Sequence, residues 1–146
     1  LHTAYRRQRQ MCIRDRYQTV PKLYFVDNGF LLIQGIEDIG RFMEGVVFVE
    51  FIRKGLKTNR NLFYYRSNGY EVDFLIKNGK GVKQLVQVTY ASDKDEIEKR
   101  EIKSLIRAGD GLNCRNLLVV TWDYEDEIKV DERIIKCVPL WKWLLL

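Results

Sequence analysis

The chain has 146 residues, of which 46% are hydrophobic and 31% are charged, and its formal net charge is +5. This length favours one domain with a single core, and an aromatic content of 12% excludes extended disorder. No apolar run approaches the roughly 20 residues that a membrane-spanning helix needs. Three cysteines without a C-x-x-C pair exclude a disulfide framework and a zinc knuckle. We therefore expect a cytoplasmic protein with no membrane partner.

The first 16 residues, LHTAYRRQRQMCIRDR, carry a net charge of +4, which leaves residues 17–146 at only +1. The basic balance therefore does not indicate a nucleic-acid-binding face on the domain itself. Met11–Arg16 is the peptide that a transposon end used in sequencing libraries would encode, so we interpret residues 1–16 as a non-native leader. A basic phosphate-binding arm and a disordered terminus are the alternatives. Residues 17–146 form the predicted domain in each case, and an adapter-derived leader is expected to make no packed contact.

The first half of the domain shows clear secondary-structure patterns. Aromatic and β-branched residues predict a short strand over Lys22–Asp27, which ends at the turn residues Asn28 and Gly29. Apolar residues at helical spacing predict a helix over Ile39–Lys54. Two turns rich in Asn and Gly then separate three strands, which predicts an antiparallel meander. Its strands are Asn61–Arg66, Tyr70–Lys77 and Val82–Tyr90.

The second half alternates helix and strand. Ser92 and Asp93 offer N-cap oxygens to a predicted helix that runs to about Ala108 and ends at Gly109. Asn116–Thr121 has the continuous apolar character of a buried strand. The remaining predicted elements are one or two strands within Ile128–Val138 and a short helix or strap over Pro139–Leu144. The pattern as a whole predicts an α/β fold with a central mixed sheet.

The chemistry-bearing residues narrow the classes of function. The chain has neither a G-x-x-x-x-G-K-[ST] phosphate loop nor a G-x-G-x-x-G motif, so these familiar forms of nucleotide binding are excluded. Its one histidine, His2, lies in the leader, which excludes histidine-based catalysis and Ser-His-Asp triads. Carboxylates on a helix and on neighbouring strands remain, and such groups hold a hard divalent metal for phosphodiester hydrolysis.

An ordered set of segments resembles a known family. The segments are Gly40–Phe48, Phe63–Arg66, Glu71–Ile76, Leu85–Val88 and Lys99–Glu101. They resemble the C-terminal domain, a domain of unknown function, of a group of prokaryotic AAA-type ATPases. Lys22–Gly29 and Trp141–Leu144 extend the resemblance to Val20–Leu146. That domain looks like the PD-(D/E)XK nuclease fold, so the resemblance implies a restriction-endonuclease-like core, in which a central mixed sheet with an antiparallel meander is flanked by helices.

The resemblance also implies site residues. In that nuclease fold a helix glutamate, a strand aspartate and a (D/E)-x-K triple converge on magnesium, which here assigns Glu44 and Asp73 as the two acids. The third position reads Gln87, and Thr89 stands where that nuclease fold has its lysine. Glutamine offers a carbonyl oxygen without charge, and a threonine hydroxyl cannot replace a cation. A substitute cation is expected from the following helix, where Lys99, Arg100 and Lys103 are the candidates.

The same residues allow structural interpretations. Glu44 and Glu50 read equally as solvated helix acids. Strand alternation predicts that Asp73 shares one face with Glu71, while Val72, Phe74 and Ile76 face the other side. A polar outer strand face explains the presence of Asp73 about as well as a metal site does. For Gln87 and Thr89 a simple polar face is the favoured interpretation.

Two functions follow from these expectations. The favoured function is a catalytically silent, nuclease-fold accessory domain of an AAA-type ATPase, which serves protein interaction or DNA contact. The alternative is a magnesium-dependent DNA endonuclease module with a displaced catalytic lysine. The expected partners are an N-terminal ATPase domain that is missing from this chain, DNA, and a second copy of the chain.

Overall fold

The computed structural model describes residues 6–8, 22–97 and 99–146. Its secondary structure follows the α/β order that the sequence patterns predict. The elements are β1 (Arg6–Gln8), β2 (Lys22–Tyr24), α1 (Gly29–Ile33), α2 (Ile39–Arg53), β3 (Leu62–Ser67), β4 (Tyr70–Asn78), β5 (Gly81–Val88), α3 (Lys99–Gly111), β6 (Leu117–Thr121), β7 (Asp126–Val130), β8 (Arg133–Pro139) and α4 (Leu140–Trp143).

Six strands form one mixed sheet in the order β3-β4-β5-β6-β8-β7. The hairpin between β3 and β4 turns at Asn68 and Gly69, whose φ angles of 49° and 80° suit a tight two-residue connection. β3, β4 and β5 pair antiparallel, whereas β5, β6 and β8 are parallel. Helix α3 provides the crossover from β5 to β6 that parallel pairing requires. The predicted mixed sheet, antiparallel meander and flanking helices are therefore confirmed.

Helix α2 covers one face of the sheet, as its apolar spacing predicts. Its N-cap residue Asp38 accepts a hydrogen bond from the Arg41 backbone N–H at 3.1 Å. Its buried side chains pack with residues of the central strands in an aromatic-rich core. The buried members are Tyr24, Met43, Val47, Phe48, Phe51, Leu62, Phe74, Ile76, Val86, Val88, Leu118, Val120 and Trp143. Phe74 and Val88 thus both face this core from adjacent strands.

Helix α3 covers the opposite face over an aliphatic core, but its predicted bounds are wrong. It begins at Lys99 because Asp93 forms a local turn instead, in which its Oδ1 accepts from the N–H groups of Asp95 and Glu96. It also continues past Gly109 to Gly111. A Cβ on Gly109 would lie 2.9 Å from the carbonyl oxygen of Cys114, so this glycine allows close packing rather than ending the helix.

The region before α2 differs from the predicted strand. β2 ends at Tyr24, and Asp27 Oδ1 accepts from the Gly29 N–H at 2.7 Å where the unpredicted helix α1 begins. β2 pairs antiparallel with Arg6–Gln8. Three leader residues therefore pair with the domain, against the expectation that the leader makes no packed contact. The other residues of the leader lie outside the described ones.

The C-terminal helix α4 packs on the same face of the sheet as α2. α4 starts after Pro139, and the ring of its buried Trp143 meets Phe51 edge to face at a centroid distance of 5.2 Å. The predicted terminal helix is confirmed. Among the helices that the structure describes, none has both the length and the apolar composition to span a membrane.

Candidate functional site

Two acids and one lysine from three separate elements meet beside the sheet. Lys22 Nζ of β2 lies 2.8 Å from Glu44 Oε1 of α2 and 2.5 Å from Asp73 Oδ1 of β4. We call Lys22, Glu44 and Asp73 the charge cluster. It borders a pocket of about 320 Å³, which Gln87 also lines. The structure thus brings together the three site residues that the resemblance implies, and it adds Lys22.

The backbone of β4 explains how Asp73 reaches this place. Phe63 of β3 faces Leu75 and Tyr65 faces Val72, so β4 holds one residue more than β3 across this step. Such a bulge redirects side chains, and bulges are common beside functional sites. Strict alternation is therefore wrong here, because Val72 packs in the α3 core whereas Phe74 packs in the α2 core.

The backbone and side chains of β5 hold Asp73 in position. Its Oδ2 accepts from the Val88 N–H at 3.0 Å, and its own N–H donates to Gln87 Oε1 at 3.3 Å. Both Asp73 and Gln87 are buried. Gln87 is therefore not a residue of a solvated polar face, because its carbonyl oxygen satisfies a buried backbone donor left unpaired near the bulge.

Two tyrosines complete the surroundings of the charge cluster. The Tyr24 hydroxyl donates to Glu44 Oε1, the same oxygen that faces Lys22. The Tyr64 hydroxyl donates to Glu71 Oε2 at 2.6 Å, and Lys22 Nζ lies 4.7 Å from the centroid of the Tyr64 ring. Tyr64 is itself a buried residue.

The charge cluster contains one ammonium and two carboxylates, and this imbalance determines its electrostatics. Burial disfavours the charged form of Lys22, but Asp73 and Glu44 outweigh it and raise the pKa of Lys22 above its ordinary value. Burial and then the charge of Glu44 raise the pKa of Asp73 to about 6, although Lys22 and the Val88 N–H act in the opposite direction. Burial also raises the pKa of Tyr24, and Glu44 adds to this effect. One lysine therefore leaves the cluster with excess negative charge when both acids are ionised.

The predicted substitute cations take different places. Arg100 lines the pocket together with Arg41 of α2. Lys99 and Lys103 are exposed on α3 and do not line it, nor does Thr89. The cation in contact with both acids is Lys22, which the sequence reasoning missed. Its position two residues before the buried Tyr24 was the available signal, since residues i and i+2 of a strand share a face.

The remaining helix acid is not part of the site. Glu50 Oε2 lies 3.9 Å from Arg53 Nη1, one turn along α2, and Glu50 does not line the pocket. The side chains of Glu44 and Glu50 are similarly buried, at 17% and 18% exposed, so Glu44 is distinguished by its contact with Lys22. The interpretation as a solvated helix acid therefore suits neither residue.

The donor set does not fit a magnesium ion in the observed arrangement. Glu44 Oε1 and Asp73 Oδ1 face Lys22, while Asp73 Oδ2 and Gln87 Oε1 accept backbone N–H groups. Magnesium requires oxygen ligands at about 2.0 to 2.1 Å in near-octahedral geometry. Within residues 22–97 and 99–146 no group of three or more His, Cys, Asp or Glu has an arrangement suited to a metal ion. The magnesium site stays a prediction.

Comparison with known proteins identifies the family. The domain described as Domain of unknown function (DUF4143) matches residues 39–143, from the start of α2 to the end of α4. The chain belongs to this family. The match includes Glu44, Asp73 and Gln87, whereas Lys22 precedes it.

The chain is also similar to a much longer protein. It is 39% identical over 131 residues to the uncharacterized protein MJ1544 of Methanocaldococcus jannaschii, an alignment that covers 85% of this chain. The chain spans only 29% of that protein's length. No solved structure matches.

Proposed function

We propose that this domain is a catalytically silent, nuclease-like accessory module of a longer protein. The observation that carries the proposal is the position of Lys22, whose ammonium lies within hydrogen-bond distance of both acids. A half-buried ammonium at this point neutralises charge that would otherwise attract a divalent cation. Removing the ammonium leaves the buried Asp73 without its partner, which is costly, so the acids are poorly placed to exchange Lys22 for another cation.

The nuclease-like part of the proposal depends on how the elements are arranged. An acid on α2 and an acid on β4 converge beside an antiparallel meander, and α3 follows as the crossover to a parallel strand. This is the order in which the PD-(D/E)XK resemblance places its helix acid and strand acid. A fold can be retained after its catalytic activity is lost, because the same scaffold carries different functions when the residues of its site change.

The longer protein in this proposal carries an AAA-type ATPase domain and acts in the cytoplasm. The length of the uncharacterized relative is compatible with a further domain, since this chain spans 29% of it. The free thiols of Cys114 and Cys137 are both buried, which suits a reducing compartment. In this setting the silent domain provides a surface for protein or DNA contact, while chemistry occurs elsewhere.

One observation also favours a second function, a magnesium-dependent DNA endonuclease with a displaced lysine. Lys22 contacts both acids directly, so it is better placed for this role than Lys99, Arg100 or Lys103. The two functions differ in their requirement for metal. Direct measurement of metal binding and of cleavage therefore separates them.

The test incubates the purified chain with linear and branched DNA and magnesium or manganese, and it titrates the same metals calorimetrically. We expect neither cleavage nor binding at a Kd below the order of 1 mM. In Lys22→Met the acids lose their ammonium, so metal binding should become measurable. Thr89→Lys should create weak cleavage if the site is a decayed nuclease site.

The controls decide between the functions. Asp73→Ala removes the strand acid, and Glu50→Ala removes a helix acid that lies outside the pocket. Cleavage by the unaltered chain that is lost in Asp73→Ala but retained in Glu50→Ala would refute the silent domain and establish the endonuclease. Absence of cleavage by the unaltered chain, together with metal binding gained in Lys22→Met, would support the proposal.

A further inference from the structure

Three exposed aromatic residues, none of which belongs to the charge cluster, lie at one edge of the sheet. Tyr90, Trp122 and Trp141 follow the carboxyl ends of the parallel strands β5, β6 and β8. They are 51%, 45% and 57% exposed, respectively. Ligands of open α/β sheets commonly bind beside the carboxyl ends of parallel strands. This edge is therefore a natural place for a contact surface.

Direct contacts join the segments that carry these aromatics. The Tyr90 and Trp122 rings meet edge to face at a centroid distance of 5.4 Å, and the Trp122 N–H donates to the Ala91 carbonyl oxygen at 3.0 Å. Trp141 Nε1 donates to Asp123 Oδ1 at 3.3 Å. The segments 90–97, 122–127 and 140–146 thus form one continuous surface, which we call the acidic edge.

The charge of the acidic edge contrasts with the rest of the domain. Its side chains include seven carboxylates and two lysines, a net charge of −5, whereas the other residues of 17–146 carry +6. All seven carboxylates are exposed to solvent. They are Asp93, Asp95, Glu96, Asp123, Glu125, Asp126 and Glu127.

We propose that the acidic edge docks an arginine-rich segment of a partner protein. The surface potential attracts cations and repels the phosphate backbone of nucleic acids. Indole and phenol faces favour the planar guanidinium of arginine over the compact ammonium of lysine. The exposed aromatic rings and carboxylates of the acidic edge therefore match arginine both in shape and in charge.

This inference does not depend on the proposed function, since the acidic edge contains none of the charge cluster residues. It also assigns protein contact and DNA contact to different parts of the surface. A partner protein with arginines would bind at the acidic edge, and DNA would have to bind elsewhere on the chain.

The test measures the fluorescence anisotropy of a labelled, terminally blocked hexa-arginine peptide during titration with the full chain at low ionic strength. Asp95→Asn with Glu125→Gln removes two charges from the acidic edge, and binding should weaken about tenfold. The matched control is Asp131→Asn with Glu132→Gln, which removes two charges from the turn between β7 and β8. That turn lies at the opposite end of β8 from Trp141. The control should change affinity less than about twofold.

A second variant tests the aromatic contribution separately from charge. The unaltered chain should bind hexa-arginine several-fold more tightly than hexa-lysine, and Trp122→Ala should remove this preference. Circular dichroism of each variant shows whether it is folded. Absence of saturable binding by the folded chain, or equal weakening by the two charge pairs, would overturn the proposal.

Discussion

The charge cluster and the acidic edge place the same kinds of residue in opposite environments. In the charge cluster, Asp73 is buried and each carboxylate contacts Lys22. At the acidic edge seven carboxylates face two lysines, and water solvates the excess charge. An unpaired charge is costly in a buried site and inexpensive in water. The comparison shows that burial, rather than residue type, decides which acids of this chain need a partner.

The largest expected effect comes from the apolar side chain next to the charge cluster. Phe74 is fully buried and its ring contacts Tyr24 and Phe51, so Phe74→Ala should lower the free energy of unfolding by about 3 to 5 kcal/mol. Denaturant unfolding measures this loss. Phe30→Ala is the control, since Phe30 is 43% exposed and its truncation should cost little. Similar losses in both variants would contradict the described packing.

Breaking the charge cluster should cost nearly as much. Lys22→Met leaves Glu44 and Asp73 without their shared ammonium, and we expect a loss of about 3 kcal/mol near neutral pH. Lys57→Met, at an exposed position, controls for the loss of a positive charge. Adding Asp73→Asn to Lys22→Met should recover part of the stability, because it removes one of the unpaired charges. A double variant less stable than Lys22→Met alone would show that the unpaired charge of Asp73 does not destabilise the Lys22→Met variant.

The pH dependence of stability probes the excess negative charge of the cluster. The pKa of Asp73 is raised from 3.8 to about 6, so the folded state binds this proton more tightly than the unfolded state does. The stabilisation is therefore complete below about pH 4 and is lost as the pH rises through 6, by about 3 kcal/mol in all. The difference in unfolding free energy between the unaltered chain and Asp73→Asn should show this decline. A difference that is constant from pH 4 to 7 would refute it.

The acidic edge should show the smallest effect on stability. Asp95→Asn with Glu125→Gln removes two exposed charges, and the free energy of unfolding should change by no more than about 0.5 kcal/mol. Thermal unfolding of this variant and of Lys22→Met under the same conditions compares their stabilities directly. A loss comparable to that of Lys22→Met would mean that the exposed acids stabilise the fold itself.

Local patterns were sufficient to predict most elements of the fold. Asn68 with Gly69 predicted the β3–β4 hairpin, because these residues tolerate the positive φ angles that the turn requires. The apolar spacing of α2 predicted its buried face. The failures came where one local signal competed with another. Asp93 has the chemistry of an N-cap but forms a separate turn, and Gly109 resembles a helix end but provides space for Cys114.

The sequence by itself determined the hairpins and the buried face of α2, since each depends on the spacing of neighbouring residues. The two site acids were implied by the resemblance to the nuclease fold and not by spacing. Only the tertiary structure decided which groups meet. Lys22 and Asp73 are 51 positions apart, and their contact requires β2, α2 and β4 to pack together. The bulge in β4 likewise depends on its pairing with β3. Periodicity describes one segment at a time, whereas the partner of a buried charge is set by whichever distant segment the fold brings within about 3 Å of it.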